Sequence, residues 1–204
     1  MDNNISSKVV TDKVVSFMGK RSSFRRQPRD FYPTPIQAIE PLIPHLQKCK
    51  TFVEPMAGNG ALVDGLENLT SMECLWKSDI EPQRDDIKQA DAFDLTLHDY
   101  TMACDTIITN PPWSREYLHQ TIMWFCVIKP TWLLLDADWM HTKQSVPYTR
   151  YLHKVQTVGR VKWFTDSRHQ SKDNVAWHLF SGEQKENPHK FKFYSRGYDA
   201  INDY

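Results

Sequence analysis

Apolar positions along this chain come in short runs of strand length and longer runs of helical spacing, separated by turn-forming residues. Thr51-Phe52-Val53-Glu54 predicts a buried strand, and the helix-patterned stretch Ala61–Leu69 follows it across Pro55-Met56-Ala57-Gly58-Asn59-Gly60. Cys74-Leu75-Trp76-Lys77-Ser78 predicts a second strand, running into Asp79-Ile80-Glu81-Pro82. Thr106-Ile107-Ile108-Thr109 predicts another that stops abruptly at Asn110-Pro111-Pro112-Trp113, because two consecutive prolines remove two backbone donors and bar a continuing ladder or an immediate helix. Arg115–Val127 has helical spacing, and Thr131-Trp132-Leu133-Leu134-Leu135 predicts a fifth strand ending at Asp136-Ala137-Asp138-Trp139-Met140. Gln144–Val155 predicts a helix. Arg160-Val161-Lys162-Trp163-Phe164 and Val175-Ala176-Trp177-His178-Leu179-Phe180 predict a strand pair joined by 165–174. Upstream, Pro35 suits the first turn of a helix running to about Leu46, and Lys8–Met18 predicts one short helix in an otherwise weakly patterned stretch. Strands alternating with helices make the fold class α/β, doubly wound and mostly parallel, with an antiparallel hairpin at its C-terminal end.

At 204 residues the chain is long enough for one domain with a substantial core. It holds no apolar run of membrane-spanning length, and Val14-Val15-Ser16-Phe17 is too short for a secretion leader, so a cytoplasmic protein without a membrane partner is expected. Cys49, Cys74, Cys104 and Cys126 lie far apart without paired spacing, which predicts reduced thiols and no structural metal. A formal net charge of zero conceals an asymmetry. Residues 1–30 carry seven Lys/Arg against three acids, 51–110 carry three against twelve, and 141–204 carry eleven against six. The middle is acidic and both ends are basic; Lys20-Arg21-Ser22-Ser23-Phe24-Arg25-Arg26 with Arg29 is a solvated arm or, beside a catalytic pocket, a source of phosphate contacts.

Candidate chemistry gathers at the predicted strand ends. Asn110 and the Pro111 carbonyl can face one small space, with Trp113 as a flat plate beside them, an arrangement suited to a planar group bearing an amino nitrogen. The alternative is a turn whose Asn caps the backbone and whose Trp fills core. Gly58 and Gly60 between a strand and a helix allow the backbone to approach a ligand, as any tight strand-to-helix loop also would. Asp79 stands nineteen residues after Gly60, at the tip of the second strand, where a doubly wound sheet grips a ribose diol. Asp91-Ala92-Phe93 offers a further acid with an aromatic two residues on. Singly these acids read as solvated or capping residues; Glu54, Asp79 and Asp91 at successive strand ends point to one crevice.

Phe52–Gly60, Ser78-Asp79-Ile80-Glu81-Pro82, Asp91-Ala92-Phe93 and Asn110-Pro111-Pro112-Trp113, taken in this order, resemble the S-adenosylmethionine-dependent N6-adenine DNA methyltransferases, in a compact, phage-like form. Tyr32-Pro33-Thr34-Pro35 is similar to the upstream motif of that family, and the resemblance covers about residues 30–180. It implies a seven-stranded Rossmann-like sheet completed by the hairpin, and S-adenosylmethionine as cofactor. The methionine portion of that cofactor would lie against Tyr32, Thr34, Pro35, Glu54, Met56, Ala57, Gly58 and Gly60, the ribose against Asp79 with Ile80, and the adenine against Asp91, Ala92 and Phe93. Asn110, Pro111, Pro112 and Trp113 would form the catalytic pocket for a flipped target base. Arg25, Arg26 and Arg29, with Arg168, His169 and Lys172 of the hairpin loop, would contact the substrate; for the loop residues a polar hairpin turn is the other reading.

The expected layout is a basic arm over 1–29, a methyltransferase domain over 30–182 and a tail over 183–204. Two acids after the fifth strand, Asp136 and Asp138, and a tail too short for a large target-recognition domain depart from the family pattern. DNA is the expected partner of a monomer or homodimer. The alternatives are RNA adenine, a protein glutamine amide, or a catalytically silent nucleic-acid-binding protein; a Trp rather than Tyr at 113 and the basic flanks favour nucleic acid.

Overall fold

The computed structural model describes residues 31–94, 102–164, 171, 173–182 and 192–194. Its strands are β1 (Thr51–Glu54), β2 (Glu73–Asp79), β3 (Lys88–Gln89), β4 (Thr106–Thr109), β5 (Thr131–Asp136), β6 (Leu152–Arg160), β7 (Asn174–Phe180) and β8 (Lys192–Tyr194), and its α-helices are α1 (Ile36–Ile39), α2 (Ala61–Leu69) and α3 (Arg115–Cys126). The strands form one sheet in the order β3-β2-β1-β4-β5-β7-β6-β8. From β3 to β5 every pairing is parallel, and β7 runs antiparallel to both β5 and β6. This is the doubly wound sheet with a C-terminal antiparallel pair, its seven strands β1–β7 supplemented by β8, which pairs parallel with β6 at the edge.

The central strands read as unbroken apolar runs because both of their faces are covered. Ile108, Trp132 and Leu134 point to one side, where they meet Ile39 and Leu42 of the segment after Pro35 and Leu62 and Leu66 of α2. Leu133 and Leu135 point to the other side, where they meet Leu118 and Ile122 of α3. Alternation along one strand thus builds two layers of core, one on each face of the sheet.

Three expectations need correction. The helix expected up to about Leu46 is α-helical only through Ile39 and continues as a 3-10 helix over Glu40–His45. Pro41 and Pro44 have no N–H to give to an i−4 carbonyl, so the wider helix cannot persist. The region Gln144–Val155, expected to be helical, is a 3-10 helix over Lys143–Tyr151 followed by β6 from Leu152, and the strand expected at 160–164 is already ending there. The register of β6 on β7 shifts between Leu152 and Lys154 and again between Thr157 and Gly159. Each bulge adds a residue to β6, and core residues fall at 152 and 155 in the layer on one face of the sheet and at 158 and 161 in the layer on the other, a spacing that imitates a helix. The short helix expected at Lys8–Met18 lies outside the described residues.

All four cysteines are free thiols. Among the described residues no cluster of His, Cys, Asp or Glu is arranged to hold a metal ion, and no helix is long and apolar enough to cross a membrane.

Candidate active site

The connections of a doubly wound sheet diverge where the strand order reverses, here between β1 and β4, and leave a crevice beyond the carboxyl ends of those strands. The loops after β1, β2, β3 and β4 all contribute to one cavity of about 750 Å³ at that place. This is within the usual range for a site that encloses a small organic ligand.

The loop after β1 forms the floor. Gly58 (φ +55°) and Gly60 (φ +80°) both lie in the left-handed region, which side chains with a Cβ rarely enter. A Cβ on Gly58 would sit 2.7 Å from the Phe31 ring, and one on Gly60 2.6 Å from Arg84 Nη1, so the first would press on the ring and the second would displace the Arg84 head. Asp79 holds this loop against the next: one carboxylate oxygen accepts from Gly58 N and the other from Glu81 N, each at 2.8 Å. Behind Gly60, Arg84 pairs with Asp64 of α2 and with Asp86, which also pairs with Lys77.

Glu54, at the end of β1, is buried and lines the cavity. Its Oε1 accepts from Met56 N at 3.4 Å, whereas Oε2 is buried without a hydrogen-bond partner. Burial pushes its pKa up to about 8, against the pull of the nearby Thr109 hydroxyl and the Met56 N–H. A buried carboxyl whose second oxygen has only the Thr109 hydroxyl nearby, outside hydrogen-bond geometry, and that sits next to a glycine-lined floor, fits a ligand that brings a positive charge to that point.

Asn110 enters from the end of β4. Its Nδ2 donates to the Tyr32 carbonyl and to the Thr34 hydroxyl, both at 3.2 Å. Both hydrogens of the amide nitrogen are therefore directed at acceptors of the segment before α1, and Oδ1 is the part of the side chain left to accept.

Most residues that the family resemblance singles out come together here. Tyr32, Thr34, Glu54, Met56, Ala57, Gly58, Asp79, Ile80, Asp91, Ala92, Asn110 and Pro112 line the cavity. Pro35, Gly60, Phe93, Pro111 and Trp113 do not. Pro35 caps α1 and Gly60 caps α2. Phe93 packs against Tyr117, Trp124 and Phe125, while Asp91 Oδ1 accepts from Phe93 N at 2.9 Å, closing a 3-10 turn. Pro111 is buried, and Trp113 is turned into the core, donating from Nε1 to the Leu134 carbonyl at 3.0 Å and meeting Trp163 edge-on. The expected plate beside the acceptor is thus a tether for the loop, as in the alternative reading in which the Trp fills core. Arg25, Arg26, Arg29, Arg168, His169 and Lys172 lie outside the described residues.

Sequence reasoning missed Phe31, Asn59, Gln83, Ser114 and Tyr117, which also line the cavity, and Trp163 and Phe164, whose rings flank Tyr32 with centroids 5.6 and 5.9 Å from it. Trp163 and Phe164 were legible only as strand residues; their aromatic pair just before a polar loop was the available signal.

A model of the N-6 DNA Methylase family matches residues 62–132, a segment running from α2 to the start of β5. No curated protein matches. Two solved structures resemble the chain. One, from Listeria monocytogenes, is described as a class I S-adenosylmethionine-dependent methyltransferase, with 11% identity, a TM-score of 0.47, and 77% of this chain and 62% of that chain covered. The other is a dimethyladenosine transferase from Plasmodium falciparum, with 16% identity, a TM-score of 0.48, and 78% and 64% covered. This chain therefore spans less than two thirds of either. The matched segment takes in Asp79, Asp91 and Asn110 of the cavity, and together with the doubly wound strand order it fits a methyltransferase scaffold with S-adenosylmethionine as cofactor.

Proposed function

We propose that the protein transfers the methyl group of S-adenosylmethionine to the N6 amino group of adenine in DNA. The observation that carries this reading is the Asn110 amide, which lines the cavity and is held through its nitrogen, so that its oxygen is the atom left to accept. When bound, the cofactor supplies a methyl group already activated on a sulfonium. Glu54 would pair with its α-ammonium, the backbone of 57–60 would lie against its methionine portion, Asp79 would take the ribose hydroxyls and Asp91 the adenine edge.

The difficult partner is the acceptor, because an adenine amino nitrogen shares its lone pair with the ring. Asn110 Oδ1 and the Pro111 carbonyl, at the peptide bond to the cavity-lining Pro112, would accept its two hydrogens and favour a pyramidal nitrogen whose lone pair faces the transferred methyl group. The target base is flipped from the duplex, and the aromatic group of Tyr32, Trp163 and Phe164 beside the cavity supports a flat ring rather than a slender glutamine amide. The basic arm and hairpin loop contact phosphates.

The test is transfer of radiolabelled methyl to duplex DNA, single-stranded DNA, RNA and a mixed protein extract, with nucleoside digestion of the product. N6-methyladenine in DNA is the expected outcome, and Asn110→Ala is expected to abolish transfer while retaining cofactor binding. Label in RNA or protein alone overturns the assignment of DNA, and turnover by the Asn110→Ala variant near the parental rate removes Asn110 from the mechanism.

A further inference from the structure

Asn110 is useful to the reaction in only one of its two amide orientations. An acceptor amino group donates hydrogens, so it must meet Oδ1; the flipped amide would present N–H to N–H. Nothing in the shape of an asparagine side chain selects between the two, and the selection has to come from what the nitrogen binds. The Tyr32 carbonyl accepts only, which fixes which end of the amide faces it. One hydrogen bond still lets the amide plane swing about that contact. The second, from Nδ2 to Thr34 Oγ1, removes the swing because the two hydrogens of one planar nitrogen then have separate acceptors.

The bracket that carries these acceptors is stiff. Pro33 and Pro35 fix their own φ and bias Tyr32 and Thr34 toward extended backbone, and Pro35 is found at φ −75°, ψ 154°. Thr34 is 6% exposed, so water competes little for its hydroxyl. On the far side, the loop is tied down by Trp113 through Leu134. Asn110 is thus held by its own side chain from one direction and by its loop from the other.

We propose that Thr34 is a positioning residue of the transfer step: with the Tyr32 carbonyl, its hydroxyl locks the Asn110 amide plane so that Oδ1 meets the acceptor amino group. The inference rests on the methyl-transfer reading above and gives Thr34 a part on the acceptor side of the site, where the family resemblance places it only against the cofactor.

The experiment compares the full-length parent with Thr34→Val, which keeps the shape and loses the hydroxyl, and Thr34→Ser, which keeps the hydroxyl. The readouts are kcat on the acceptor that the parent methylates, the Kd of S-adenosylmethionine, and the thermal midpoint. A misaligned catalytic group typically costs on the order of 10- to 100-fold, so Thr34→Val is expected to lose about that much kcat, with the cofactor Kd within about threefold of the parent. Thr34→Ser is expected within about threefold of the parental kcat. Thr34→Val at the parental kcat overturns the inference, as does a Ser variant no better than Val, or a loss of cofactor affinity as large as the loss of kcat. A parent that methylates no acceptor overturns the methyl-transfer reading and this inference with it; a parent that turns over isolates the inference for the variants to decide.

Discussion

Replacing Glu54 by Gln separates the charge of the buried carboxyl from its shape, and the proposed site makes that charge the source of a pH-dependent cofactor affinity. Glu54 is 1% exposed and its pKa stands at about 8, so near neutral pH it is mostly protonated before the cofactor arrives. The form that pairs with an α-ammonium is the carboxylate. One pKa unit corresponds to about 1.4 kcal/mol, so ionising Glu54 at pH 6 costs on the order of 3 kcal/mol, and affinity is expected to rise about tenfold per pH unit between pH 6 and 7. Below about pH 7 the α-amino group of the cofactor largely keeps its proton, so the trend over pH 6 to 7 belongs to Glu54. Isothermal titration of S-adenosylmethionine from pH 6.0 to 7.5, in buffers of different ionisation enthalpy, reads both quantities: the slope of the affinity and the release of close to one proton per cofactor bound at the acid end. Glu54→Gln cannot ionise, and is expected to bind with a flat pH dependence and no proton release over this window. A flat, buffer-independent response of the parent, or a Gln variant that keeps the parental slope, refutes the pairing.

Three further outcomes follow from the geometry. Asp79→Asn leaves one acceptor oxygen where both now hold backbone N–H groups at 2.8 Å, and is expected to weaken cofactor binding about tenfold, the scale of one charge-assisted hydrogen bond; an unchanged Kd would separate Asp79 from the ribose. Gly58→Ala puts a Cβ 2.7 Å from the Phe31 ring at a φ of +55°, and is expected to cost about 1–2 kcal/mol in the left-handed backbone alone, read as a lowered urea midpoint; an unaltered midpoint contradicts the strain. His178 is fully buried, and burial lowers its pKa from 6.5 to about 4. Its folded state therefore binds fewer protons than the unfolded state between those values, so its contribution is present above pH 6.5 and lost as pH falls toward 4; His178→Gln is expected to flatten that part of the stability profile, and an equally steep fall in the variant would assign the acid loss elsewhere.

The parts of the fold that were legible in the sequence are those where local pattern and tertiary burial agree. Thr51–Glu54 and Ala61–Leu69 have the bounds their residues suggest, because apolar runs, two glycines and the proline stop all specify the same boundaries. β6 was hidden because two bulges and a core on both faces leave buried residues at a spacing of three, and only the pairing with β7 reveals a strand. In the site, backbone requirements were visible: Gly58, Asp79 and Asn110 have chemistry that few other residues could provide at those places. Side-chain direction was not. Whether Trp113 faces the cavity or the core depends on a carbonyl twenty-one residues away on β5, and whether Asn110 presents oxygen or nitrogen depends on Tyr32 and Thr34, more than seventy residues upstream.

The distribution of charge restricts how an acceptor can enter. Glu54, Asp79, Glu81 and Asp91 line the cavity, and no Lys or Arg does among the described residues. Such a lining favours a cofactor carrying a sulfonium and an ammonium, and disfavours any phosphate that approaches it, most strongly where the site is shielded from water. A nucleic-acid acceptor must therefore leave its backbone outside and admit only a neutral base, which is what flipping accomplishes. The basic excess of the chain lies instead in residues 1–30 and 141–204. On the proposed reading this division of charge has one consequence for the order of affinity: added salt weakens the grip on the phosphates, because each counterion released on binding gains less entropy in a saltier solution, while the enclosed contacts to the base and cofactor are screened far less. Replacing Arg25, Arg26 and Arg29 together by Ala would then reduce the salt slope of substrate binding and leave the cofactor Kd unchanged, whereas an unaltered slope would place the phosphate contacts on other residues.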